Sequence, residues 1–136
     1  MSDGAQVARV LAWEVARVVR QLAERKRWLL RVWSRHRARQ PILDTIFVRW
    51  NTATVSELAA LPPHVLDALE AFYAVVEDLR LYVQFTEDMP LALEEELERM
   101  QATLEAHAEV ALDALNVALP EATAAIGWND DPEPSA

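Results

Sequence analysis

The stretch of the chain from Pro63 to Glu87 constrains the fold more than any other part of the sequence. Its main apolar residues are spaced 4-3-4-3-4, which places them on one face of an α-helix. Additional apolar residues widen this face until only a narrow polar strip remains, including Asp67, Glu70 and Glu77. A helix that is apolar around most of its circumference is usually covered by neighbours on several sides. The stretch is therefore predicted to be the central helix of a bundle, with its core positions at Val65, Leu69, Phe72, Val76, Leu79 and Val83.

The composition agrees with a helical domain and excludes several kinds of site. The length of 136 residues is typical of one domain. The chain has no cysteine, which excludes disulfides, thiolate metal sites and a cysteine nucleophile. Its two glycines are few for a β-rich or nucleotide-binding fold. No apolar run approaches the roughly 18 residues of a membrane span, and the N-terminus lacks the pattern of a secretory signal, so a cytoplasmic location is expected.

Two other long helices and a bridging segment complete the predicted fold. Pro41 can occupy the first turn of a short helix. Thr54, followed three residues later by Glu57, matches a capping box at the start of another. The prediction is an all-α fold, an antiparallel bundle of three long helices with one or two short bridging helices. The long helices are expected over residues 5–39, 63–87 and 90–119.

The end of the chain is predicted to lie outside this bundle. Residues 120–136 are acidic and contain several prolines, a composition typical of disorder. The expected organisation is therefore a single helical-bundle domain over residues 1–119, followed by a disordered tail over residues 120–136.

Charge is divided unevenly along the sequence. The net charge is −9, but residues 1–50 carry eleven Arg or Lys and four Asp or Glu, whereas residues 51–136 carry two Arg and eighteen Asp or Glu. Such asymmetry indicates either an interaction surface or a basic helix that lies along an acidic one within the same chain.

The basic segment from Arg25 to Arg39 is the strongest local signal of function. It contains seven Arg or Lys and no acidic residue, with tryptophan and aliphatic residues interleaved. Such a helix can bind an acidic protein, the phosphates of nucleic acid or an anionic membrane interface. Alternatively, its apolar residues enter the core and its arginines are solvated or pair with acids of the same chain. The candidate partner-binding residues are Arg25, Arg27, Trp28, Arg31, Trp33 and Arg35.

The last long helix carries the opposite charge. Its acidic row faces either solvent or the arginines of the first helix, in the same chain or in a dimer. The wide apolar surface of the central helix favours a homodimer, unless the short helices cover it. The acidic row consists of Glu94, Glu98, Glu105, Glu109 and Asp113.

Catalytic signals are weak. The sequence has no metal-binding HExxH motif, no phosphate-binding glycine loop and no GxSxG motif. Arg31 and His36 have a spacing found in some helical ribonucleases, but this spacing arises easily by chance in an arginine-rich helix. No enzymatic activity, cofactor, metal or small-molecule substrate is predicted.

These observations favour a non-enzymatic protein-interaction or scaffolding module. It would bind a protein partner through the basic, tryptophan-containing end of the first helix, and self-association as a homodimer is also expected. The alternative is binding of nucleic acid or of an anionic membrane surface through the same helix.

Overall fold

A computed structural model describes residues 3–87 and 89–128 and confirms the all-α prediction. The described residues contain no β-strand. Three long helices pack together, and short helices connect them. The helices are α1 (Asp3–His36), α2 (Gln40–Thr45), α3 (Val55–Ala59), α4 (Pro63–Phe85), α5 (Pro90–Ala118) and α6 (Pro120–Ala124), with a 3₁₀ turn at Trp50–Thr52 between α2 and α3.

Helix α1 buries one apolar stripe along its whole length. Every member of the predicted stripe is buried. The helix ends three residues earlier than predicted because Arg37 adopts a left-handed backbone conformation, with φ of 53°, and its N–H bonds to the carbonyl of Trp33 at 2.9 Å. This is the geometry of a helix C-terminal cap. The stripe consists of Val7, Leu11, Val15, Val18, Leu22, Leu29 and Trp33.

The bridging segment between α1 and α4 contains two short helices. Helix α2 stops at Thr45, whose hydroxyl donates to the carbonyl of Pro41 at 2.8 Å. The predicted capping box of α3 is confirmed, since the hydroxyl of Thr54 accepts from the N–H of Glu57 and the Glu57 carboxylate accepts from the N–H of Thr54. This backbone hydrogen bond lowers the pKa of the Glu57 carboxyl below its ordinary value.

The bridging segment covers part of the apolar surface of α4. The ring of Trp50 stacks on Tyr73, with centroids 4.6 Å apart, and Ile42 and Ile46 enter the core. This covering removes part of the apolar surface on which the homodimer prediction rested. Six predicted core positions of α4 are buried, namely Val65, Leu69, Phe72, Val76, Leu79 and Val83.

Helix α5, and not α4, holds the central position in the bundle. It packs closely against α1, α4 and α6. Ala108 and Ala111 lie on its buried side, and such small side chains let neighbouring backbones approach. The apolar surface of α4 is wide, but α4 packs mainly against α5 and less closely against α1.

The chain continues in ordered structure where the sequence predicts the tail to begin. Helix α6 buries Ala122 and Thr123, and the Thr123 hydroxyl donates to the side-chain oxygen of Asn116 at 2.9 Å. The indole N–H of Trp128 donates to Asp113 at 2.9 Å. Residues 120–128 therefore lie against the bundle because they supply both core side chains and hydrogen bonds. The rest of the predicted tail, 129–136, lies outside the described residues.

Candidate functional site

The basic end of α1 presents a row of exposed arginines. Arg25, Arg27, Arg31 and Arg35 all have exposed side chains. Between Arg27 and Arg35 the spacing is four residues, which places successive guanidinium groups on neighbouring turns of the helix. Within residues 3–87 and 89–128, none of the four forms an ion pair with a carboxylate. Like charges at this spacing destabilise a helix slightly, so this row does not stabilise α1.

Trp28 lies among these arginines and is half exposed. Its side chain retains 50% of its accessible surface. Arg25 and Arg31 are one turn away on either side, and Arg35 is two turns away on the same side of the helix. We call these four residues the Trp28 surface. They combine an apolar ring with guanidinium groups that have no carboxylate partner in the described chain.

Trp33 occupies the core instead of this surface. It is only 1% exposed, and the guanidinium of Arg39 lies over its ring at 5.4 Å from the centroid. Arg39 also donates to the carbonyl of Thr86 at 2.6 Å. This hydrogen bond connects the segment that follows α1 to the residue that follows α4. Trp33 was a candidate binding residue, but its side chain continues the buried stripe of α1 and packs in the core.

Arg27 lies about 100° around α1 from Trp28 and faces a groove. With Leu30 and Ser34 it lines an open groove of about 550 Å³, whose other wall comes from the start of α5, including Leu91 and Glu94. Since a helix turns 100° per residue, Trp28 points about 160° away from Leu30. The predicted binding residues are thus divided between two flanks of one helix, and Arg31 lies between them.

Pairing between the basic helix and the acidic helix is sparse. Helices α1 and α5 lie side by side. Among the described side chains, however, only Lys26 and Glu98 form an ion pair between them, at 3.8 Å. Arg80 and Arg99 instead pair with acids of their own helices, Glu77 and Glu96. Among the described residues, the two charge blocks are therefore largely solvated.

An exposed apolar cluster lies near the basic end of α1. Phe85, Met89 and Leu91 each expose about two-thirds of their surface or more. They surround the connection from α4 to α5, where Arg39 contacts Thr86 and Arg31 shares the groove with Leu91. This end of the molecule therefore combines apolar side chains with cationic ones.

Sequence reasoning missed a polar contact in the interior, at Glu14. This residue is only 6% exposed, and its carboxylate accepts from the Tyr73 hydroxyl at 2.7 Å and from the Arg49 N–H at 2.9 Å. Burial, with a smaller contribution from the Glu14 charge, raises the pKa of the Tyr73 phenol. The available signal was an acid beside the apolar stripe of α1, directly before Val15.

The structure brings no catalytic group together from the residues considered in the sequence. His36, His64 and His107 lie on α1, α4 and α5 respectively. In the part of the chain that the structure describes, no group of three or more His, Asp or Glu residues is placed to hold a metal ion. Across the same residues, no helix is both long and apolar enough to span a membrane.

Comparisons with known proteins identify no relative of this chain. No protein-family model, curated protein or solved structure matches the chain.

Proposed function

We propose that the protein is a non-enzymatic protein-binding module that contacts its partner through the Trp28 surface. The observation that carries the proposal is the half-exposed indole of Trp28 between arginines that have no carboxylate partner in the described chain. Tryptophan and arginine are the residue types most enriched at binding hot spots. A solvated arginine row adds little to folding stability, whereas it can complement an acidic surface on another molecule.

The chemistry of the Trp28 surface indicates the partner's features. The indole needs an apolar contact or shallow pocket, and the guanidinium groups of Arg25, Arg31 and Arg35 need carboxylates around it. The proposed partner is therefore a folded protein, or a segment that folds on binding, with acidic side chains surrounding an apolar site. Such a surface discriminates by both shape and charge.

Two matched double variants test this proposal. Trp28→Ala with Arg35→Glu alters the Trp28 surface, whereas Trp13→Ala with Arg9→Glu makes the same chemical changes at the other end of α1. Each variant replaces two exposed side chains of α1, so the helical circular dichroism should persist in both. We expect the first variant to reduce partner capture from native cells at least about tenfold, because loss of a hot-spot residue costs about 2 kcal/mol or more. Capture that is equal in both variants would contradict the assignment.

One observation favours a second candidate, binding to an anionic membrane surface. The exposed apolar residues Phe85, Met89 and Leu91 lie at the same end as the arginines. Apolar and basic side chains together are the features of interfacial binding. The strongly negative remainder of the chain opposes close approach to a polyanion, and we therefore place this candidate second.

A further inference from the structure

Helices α1 and α5 together form a face with two columns of opposite charge. On α1 the basic column comprises Arg20, Arg27 and Arg31, spaced seven and four residues apart, so that one side of the helix carries all three. On α5 the acidic column has a 4-7-4 spacing and likewise occupies one side. All seven side chains are exposed. The acidic column comprises Glu94, Glu98, Glu105 and Glu109.

The two columns lie next to each other along the helices. Lys26 contacts Glu98 across the boundary at 3.8 Å. One and two turns farther along α1, Leu30 and Ser34 line the groove shared with Glu94. The helices are antiparallel, so Arg27 lies at the height of Glu98, and a 1.5 Å rise per residue brings Arg20 to the height of Glu105. We call this surface the α1–α5 face.

The charges of the α1–α5 face are not neutralised within the chain. Across the described residues, the one ion pair between the two helices joins Glu98 to Lys26, which lies outside the basic column. Within the columns, Arg27 and Arg31 repel each other at a spacing of four residues, as do Glu105 and Glu109. The face therefore has both halves of a complementary surface, and the halves do not meet in one molecule.

We infer that the occupant of the α1–α5 face is a second copy of this chain, related by a two-fold axis along the groove. A two-fold axis parallel to the helices keeps each residue at its height and exchanges the two sides of the face. It therefore places α1 of each protomer on α5 of its partner. Arg27 then faces Glu98 of the partner subunit, and Arg20 faces Glu105 of the partner subunit. An axis perpendicular to the helices would instead place like charges opposite each other.

The proposed dimer engages Arg31 but leaves Trp28, Arg25 and Arg35 of the Trp28 surface accessible, so it goes beyond the proposed function. Trp28 points about 160° away from Leu30, which lines the groove at the centre of the α1–α5 face. The dimer would carry two Trp28 surfaces, one on each outer flank. Two linked sites bind a partner with repeated epitopes more tightly than a single site does.

Charge-reversal variants of the full chain test the dimer. Analytical ultracentrifugation should be done near 0.1 M salt, where the Debye length of about 10 Å screens the net repulsion between two acidic molecules but not contacts between paired side chains. We expect the wild type to dimerise. Arg20→Glu with Arg27→Glu should raise the dimer dissociation constant at least about tenfold, and Glu98→Lys with Glu105→Lys should do the same.

Mixing the two variants gives the decisive result. One variant has a mainly acidic face and the other a mainly basic face. An equimolar mixture should therefore form a heterodimer at a concentration at which each variant alone is mostly monomeric. Asp67→Lys with Glu70→Lys on α4 changes the net charge as the second variant does and should leave the homodimer intact. A monomeric wild type, a dimer that survives in either column variant, or a mixture that fails to assemble would each overturn the inference.

The two proposals can fail independently. Trp28→Ala with Arg35→Glu should reduce partner capture and leave the sedimentation coefficient unchanged. A monomeric wild type that still captures a partner through Trp28 would remove only the dimer. If the dimer depends on the charged columns but the Trp28 variant captures the partner as well as the wild type does, only the proposed function is contradicted.

Discussion

At the level of single residues, Glu14 shows how a charge is accommodated in this small core. Its carboxylate is almost completely buried and accepts hydrogen bonds from the Tyr73 hydroxyl and the Arg49 N–H. These two bonds connect α1 both to α4 and to the segment before the 3₁₀ turn. Leaving a buried carboxylate short of donors is costly, so Glu14 ties the bridging segment to the bundle.

Removal of the Tyr73 hydroxyl should destabilise the fold. We expect Tyr73→Phe to lower the free energy of unfolding by about 1.5–3 kcal/mol, the usual contribution of a hydrogen bond to a charged group. Urea denaturation followed by circular dichroism measures this loss. In a Glu14→Ala background the same substitution should cost much less, because the charged acceptor is already absent. An equal cost in both backgrounds would show that the hydrogen bond is not the cause.

The raised pKa of Tyr73 predicts the pH dependence of stability. The unfolded chain releases the phenol proton near the ordinary value of 10.0, whereas the folded chain retains it because burial raises the pKa. The stabilisation is therefore complete below pH 10 and is lost as the pH rises above it, by up to about 1.4 kcal/mol per pH unit. The Tyr73→Phe variant lacks the phenol, so its stability does not change with pH for this reason.

The stability difference between the wild type and Tyr73→Phe should therefore narrow between about pH 9 and about pH 11. Urea denaturation at several pH values measures it. A constant difference across this range would show that Tyr73 ionises equally in the folded and unfolded states.

The sequence predicted some residue positions well, for reasons that are local. The buried stripe of α1 follows from the helical period, which correctly places Trp33 in the core. The composition of the basic segment also made Trp33 a candidate binding residue, although its side chain is buried. The contact between Glu14 and Tyr73 joins residues fifty-nine positions apart, and no local pattern indicates it. The left-handed conformation of Arg37 could not be predicted from the sequence either, because the residue in this conformation at a helix end is usually glycine or asparagine.

At the level of helices, the alanines of α5 determine which element is central. Ala108 and Ala111 are buried on the side where α5 packs against its neighbours. Hydrophobicity alone favoured α4, since its apolar surface is wider. Periodicity reveals which residues of a helix are buried, but the distance between helices depends on side-chain volume at the contact. That is why the three-helix bundle was predicted correctly, whereas α4 instead of α5 was predicted as its central helix.

A larger side chain at Ala111 should therefore disturb the bundle. We expect Ala111→Leu to lower the free energy of unfolding by about 1–3 kcal/mol, the usual cost of overpacking a core. Ala106→Leu makes the same change at an exposed position of the same helix and should have an effect within about 0.5 kcal/mol. Urea denaturation compares them. Equal stability of the two variants would mean that the contact around Ala111 can expand without strain.

At the level of the whole molecule, the surface has a basic region at the end of α1 and an acidic region along α5. The basic end of α1 and the acids of α5 are on neighbouring helices, yet among the described residues only Lys26 and Glu98 form an ion pair between them. The sequence revealed both charge blocks, but it could not show which flank of α1 each side chain occupies. In the structure, Trp28 lies on one flank and Arg27 faces the groove on the other.

Affinity purification of the tagged protein from its native cells, at low and at high salt, tests the binding role of the Trp28 surface most directly. The eluates are examined by mass spectrometry and for nucleic acid and lipid. We predict a protein partner in stoichiometric amount that persists at high salt, because an apolar contact at Trp28 is not screened, and that is lost with Trp28→Ala and Arg35→Glu. Nucleic acid or lipid that is recovered at low salt and released at high salt, with no protein partner, would contradict this role.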